Sequence, residues 1–110
     1  MAKVVGLGGV FFKSENPQKL REWYKFHLGL DSEEWGAVFK WDLPKGKDYY
    51  NVWSPFPTTT EYLKPSEKPF MINFIVDDCF ALIEQLKSSG QNVVGEPEES
   101  EFGRFGWVII

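Results

Sequence analysis

The chain has 110 residues and a formal net charge of -4, with 43% hydrophobic, 17% aromatic and 25% charged residues. That length holds one core and excludes two independent domains, and the composition excludes a disordered chain. The acidic balance and the absence of any Lys/Arg cluster exclude nucleic acid and anionic membrane as partners. No apolar run approaches a membrane span, and the first residues lack the order of a signal peptide, so the expected location is cytoplasmic.

The first element is a strand in "KVVGLGGVFFKSE", with Gly9, Phe11 and Lys13 alternating against Val10 and Phe12. A helix follows. Asn16 is its candidate cap and Pro17 takes the first helical position. Leu20, Trp23, Tyr24, His27 and Leu28 recur at helical spacing, and Gly29 closes the helix. "WGAVFKWDL" and "YYNVWSP" then read as a hairpin turning through "PKGKD", and "PTTTEYLKPSEKP" reads as a connecting loop.

The order then restarts. "FMINFIV" is a strand whose faces carry Met71, Asn73 and Ile75 on one side and Ile72, Phe74 and Val76 on the other. A helix follows with Cys79, Leu82, Ile83 and Leu86 on one stripe, and Gly90 ends it. Laying Gly9 over Met71 brings Asn16 over Asp78, Leu20 over Leu82 and Tyr24 over Leu86, so the chain reads as an internal repeat in element order and hydrophobic phase. The acidic run Glu96, Glu98, Glu99 and Glu101 reads as a solvated loop. Cys79 is alone, which rules out an intrachain disulfide, and no base accompanies it.

This repeated order, together with "GGVFFKSENPQKLREWYKFHLGL", "WSPFP", "KPFMINFIVDD" and "VVGEPEESEFGRFGW", resembles the vicinal oxygen chelate superfamily of glyoxalase I, bleomycin-resistance proteins and extradiol dioxygenases. The resemblance implies an α+β fold of two βαβββ-type modules in a curved mixed sheet around a cleft. It forms a single domain over 1–110, with module one at about 1–57, a connector at about 58–68 and module two at about 69–110. Such relatives continue past the "GRFGW" strand, whereas this sequence stops at Ile110. The second module is therefore expected to lack its last strand, leaving an edge for a homodimer with exchanged or edge-paired strands to cover.

The resemblance also places the metal-ligand positions of the family at Gly9, Asn51 and Met71. Glycine offers no donor, methionine a soft sulfur and asparagine a neutral carbonyl, so no metal and no cofactor is expected and no catalytic residue is assigned. Strand alternation makes Phe11, Lys13, Phe39, Trp41, Asn51, Trp53, Met71, Asn73 and Trp107 the expected ligand contacts, with Gly9, Ile75 and Phe105 sharing their faces. An aromatic wall with few polar groups suits a flat, partly apolar small molecule, and Lys13 suits its carboxylate or phosphate. The leading expectation is a metal-free small-molecule-binding protein. The alternatives are a metal-dependent lyase, isomerase or dioxygenase of the same superfamily, and a structural or interaction protein with a degenerate site.

Overall fold

The structure, a computed structural model, describes residues 2–41 and 49–110. In chain order its elements are β1 (Val4–Ser14), α1 (Pro17–Leu28), β2 (Ala37–Trp41), β3 (Tyr49–Pro57), β4 (Phe70–Val76), α2 (Cys79–Ser88), β5 (Asn92–Ser100) and β6 (Gly103–Ile109). Both halves thus run strand, helix, strand, strand. The architecture is α+β, with a mixed four-stranded sheet in the order β2-β3-β1-β4 and a two-stranded β5-β6 ribbon. The turn expected at 44–48 and the side chain of Trp41 lie outside the described residues.

The helices start where the repeat puts their caps. Asn16 Oδ1 accepts the Lys19 amide at 3.1 Å, and Asp78 Oδ1 accepts the Ala81 amide at 3.2 Å. Each bond satisfies one of the amides that a first helical turn leaves without a partner, worth about 1 kcal/mol. Gly29 ends α1 in the left-handed region at φ 70°, where a Cβ would be strained.

The chain divides into two compact units, Leu7–Asn73 and a second made of Met1–Gly6 with Phe74–Ile110. In the first, β3 lies parallel to β1, Val10 beside Trp53 and Phe12 beside Pro55, and antiparallel to β2, Ala37 opposite Trp53. Helix α1 packs on this sheet through Tyr24, whose ring lies 4.6 Å from that of Trp53, and Phe12 adds a ring at 5.7 Å. Gly36 admits the chain to β2. It sits at φ 137°, and a Cβ there would lie 2.1 Å from the Trp53 carbonyl oxygen.

In the second unit α2 packs on the β5-β6 ribbon by a different device. Ile83, 5% exposed, descends onto Gly106, where a Cβ would stand 2.5 Å from its Cδ1. Burying that isoleucine contributes about 2 kcal/mol. Arg104 spans the same face, its guanidinium 4.8 Å from the Phe80 ring centre and its Nε donating to Glu99 at 2.7 Å.

The stretch that follows each helix takes two forms. In the first half it shrinks to a single bridge between Glu33 and Gly36. In the second it becomes β5, which absorbs most of the acidic run expected as a loop: Glu98 pairs with Phe105 and Glu99 with Arg104. The register breaks between Val94 and Glu98, where Gly95 at φ 62° and Pro97 form a bulge. A proline cannot donate to a ladder and a bulge asks it for no bond, which is why this segment continues as a strand.

Candidate functional site

Alternation along β1 puts Gly9, Phe11 and Lys13 on the face turned away from α1. The parallel register then brings Val52, Ser54 and Phe56 beside them in that order. Phe11 stacks on Phe56 with ring centres 6.0 Å apart and planes 23° from parallel. Tyr62, from the connector, closes the group at 6.1 Å from Phe11 and 5.4 Å from Phe56. Leu63, 4% exposed, anchors the connector beside it.

Lys13 follows Phe11 on this face and lies in register with Phe56. It is half-buried, and its ammonium has no ion pair among the described residues. The result is an aromatic surface with one cationic group beside it. Ring faces offer apolar area and stacking, and the ammonium offers charge to a ligand anion.

Three expected contacts on the hairpin stand elsewhere, because its phase is shifted by one residue from the expectation. Trp53 faces α1 and is held between Tyr24 and Phe12. Asn51, two residues before it, shares that side, and its amide donates to the Leu7 carbonyl. Phe39, opposite Asn51 in the β2-β3 register, shares it too. The physical reason is the helix: a strand roofed by α1 needs its largest side chain beneath Tyr24, and this fixes the phase. Phe56 and Tyr62 are the residues that reading the sequence missed. Counting alternation forward from Trp53 as a core residue would have found Phe56, whereas Tyr62 lies in a loop without periodic signal.

Met71 and Asn73 are half-buried on β4. Asn73 lies on the Gly8 side of β1, where a Cβ on Gly8 would come 3.1 Å from its Oδ1. By alternation it and Met71 therefore share the side of Phe12, and not the face of Phe11 and Lys13 on which they were expected. In the second unit Trp107 and Phe105 stack on the ribbon face opposite Gly106, with ring centres 6.4 Å apart.

The metal-ligand positions implied by the family do not fit a divalent ion. Gly9 admits no side chain at all, since a Cβ would lie 2.5 Å from the Val52 carbonyl oxygen. The Asn51 amide is committed to Leu7, and Met71 supplies a thioether. Among the described residues no three His, Cys, Asp or Glu side chains gather as a metal-holding group. His27 lies between the rings of Trp23 and Phe26 in the last turn of α1.

A surface hollow of about 410 Å³ occurs in the second unit, lined by Ala2, Asp77, Asp78, Ala81 and Gln85. Its polar groups are occupied with structure. Asp77 accepts the Lys3 amide, Asp78 caps α2, and Gln85 exchanges two hydrogen bonds with Ala2. Burial pushes the Cys79 thiol above its ordinary value, against the opposing influence of Arg104. It is therefore poorly suited to act as a nucleophile.

No protein-family model matches the chain, and no curated protein matches it in sequence. Its fold, however, is that of known structures. A methylmalonyl-CoA epimerase solved with methylmalonyl-CoA and NH4+ superposes with a TM-score of 0.63 at 18% identity, covering 97% of this chain and 86% of that one. A Streptomyces coelicolor methylmalonyl-CoA epimerase variant, solved with 2-nitronate-propionyl-CoA, gives 0.63 at 18% identity over 97% and 89%. A Legionella pneumophila structure described as an NAD-dependent benzaldehyde dehydrogenase gives 0.55 at 18% identity over 93% and 88%.

Proposed function

We propose that this chain is a glyoxalase-like small-molecule-binding protein of the vicinal oxygen chelate superfamily. Its ligand is flat, partly apolar and anionic, and it lies on the Phe11, Phe56 and Tyr62 rings with its charge at Lys13. The observation that carries this reading is the half-buried lysine, without an ion pair among the described residues, in register beside an aromatic trio. In this reading binding needs no metal, because Gly9, Asn51 and Met71 offer no suitable donors, and the chain works as a homodimer.

The test is a thermal-stability screen with four ligand classes: aromatic carboxylates, acyl-CoA esters, neutral aromatics and aromatic cations. Aromatic carboxylates or acyl-CoA esters are expected to raise Tm, since ligand at 100 times its Kd adds about 2.7 kcal/mol. Lys13→Ala should weaken the best ligand about tenfold, equivalent to about 1.4 kcal/mol. Dialysis against a chelator should leave its affinity unchanged. The reading fails if no class shifts Tm, or if Lys13→Ala binds as the wild type does.

A second reading is supported by the fold likeness to the epimerase structures, whose descriptions name acyl-CoA ligands. It makes the chain an enzyme acting on a CoA thioester. Incubation of methylmalonyl-CoA with the protein in deuterated water separates the two: exchange at the carbon next to the thioester supports the enzyme, and binding without exchange supports the binding protein.

A further inference from the structure

The connector between β3 and β4 is a run of short turns rather than a slack loop. The Thr60 amide donates to the Pro57 carbonyl at 3.0 Å, the Tyr62 amide to the Thr60 hydroxyl oxygen at 3.2 Å, and the Lys64 amide to the Glu61 carbonyl at 3.1 Å. Lys64 and Glu61 close the last of these turns a second time as an ion pair at 2.7 Å. Leu63 is buried, and its carbonyl accepts the Ser66 amide at 3.0 Å. Tyr62 thus stands between a turn fixed by Thr60 and an anchor fixed by Leu63. Its backbone is ordered before any ligand arrives, so the entropic cost of placing the ring falls on folding and not on binding.

The ring that this connector presents differs in attitude from the other two. Phe11 and Phe56 rise from neighbouring strands with planes 23° apart, whereas Tyr62 is inclined 56° to Phe11 and 35° to Phe56. Tyr62 is 52% exposed, while both phenylalanines are half-buried. The sheet therefore offers a pair of nearly parallel rings, and the connector adds a sloping, more open wall. A ligand with one ring can rest on the pair or lean on the wall. A ligand with two fused rings can do both, because the Tyr62 ring centre is only 5.4 Å from that of Phe56 and 6.1 Å from that of Phe11.

We propose that Tyr62 is the specificity-determining residue of this site, selecting a fused-ring aromatic acid over a single-ring one, and that Thr60 is its positioning residue. This rests on the binding reading above. Lys13 takes the anion of either ligand, and Tyr62 separates the two by the size of their flat part. Charge and ring size are then read by different groups, the first on β1 and the second on the connector. The ring of Tyr62, and not its hydroxyl, makes the choice.

The test is calorimetric titration with benzoate and 2-naphthoate. Wild type should bind 2-naphthoate about tenfold more tightly than benzoate, and Tyr62→Ala should reduce that ratio to about twofold with unchanged far-ultraviolet circular dichroism. Tyr62→Leu, which keeps apolar bulk but no flat ring, should reduce it as well and provides the second arm if Tyr62→Ala misfolds. Tyr62→Phe should keep the ratio, and Lys13→Ala should weaken both acids by the same factor. Thr60→Val should lower the ratio and Thr60→Ser restore it, and in a Tyr62→Ala background Thr60→Val should change nothing further. A wild type that binds both acids equally, or a ratio that Tyr62→Ala and Tyr62→Leu leave unchanged, overturns this inference alone. Binding of acyl-CoA esters but of neither acid also overturns it while the binding reading stands. A wild type that binds no member of either class overturns both.

Discussion

The two units share an element order but hold helix to sheet in opposite ways. In Leu7–Asn73 the contact is large against large, with Tyr24 of α1 on Trp53 of β3. In the unit containing α2 it is large against nothing, with Ile83 seated on the bare backbone of Gly106. The difference shows why letter matches between the halves are few. Each contact fills its space by its own distribution of volume, so the repeat survives in caps and phase while its core residues diverge.

The largest expected effect tests whether backbone or side chain sets the first contact. Gly36→Ala adds a Cβ 2.1 Å from the Trp53 carbonyl oxygen at φ 137°, where an L-residue is itself strained. We expect a loss of about 3 kcal/mol or more, read as a lower urea midpoint at unchanged slope. Gly106→Ala meets only the end of the Ile83 side chain, which can turn aside, and should cost about 1 to 3 kcal/mol. If the two lose equal stability, the contrast between the units is not one of backbone against side chain.

The next comparison lies within one strand pair. Trp53→Ala removes the ring under α1 and should cost about 3 kcal/mol, while Phe11→Ala, on the open face, should cost about half that and weaken ligand binding. Urea unfolding and the ligand screen read the two effects separately. A Phe11→Ala protein that loses as much stability as Trp53→Ala, with ligand affinity intact, would make the open face a core and remove the candidate site.

Much of the fold was legible in the residues, and the reasons are local. Asn16, Pro17 and Gly29 bracket α1, and Asp78 opens α2, because caps and left-handed residues act within one turn of chain. The candidate site was legible only in part. Phe11 and Lys13 could be placed from alternation along β1, but the phase of β3 depends on which residue α1 roofs. That contact joins residues 24 and 53, and no window of neighbouring letters contains both. The acidic strand β5 was hidden for a related reason: Pro97 and the glutamates read as loop until Phe105 and Arg104 are known to pair with them.

The smallest expected effect concerns what the halves have in common. Asn16 and Asp78 hold equivalent places in the repeat and make the same side-chain-to-amide bond three residues ahead, at 3.1 and 3.2 Å. If the caps are the feature that outlasts divergence of the cores, Asn16→Ala and Asp78→Ala should cost nearly the same, about 1 kcal/mol each. The two sites belong to different units and bond different amides, those of Lys19 and Ala81, so the double variant should lose about the sum. Urea titration of the four proteins checks this directly. A double variant that loses much less than the sum would mean that the units do not unfold together, and the equivalence of the caps would then hold for each unit separately.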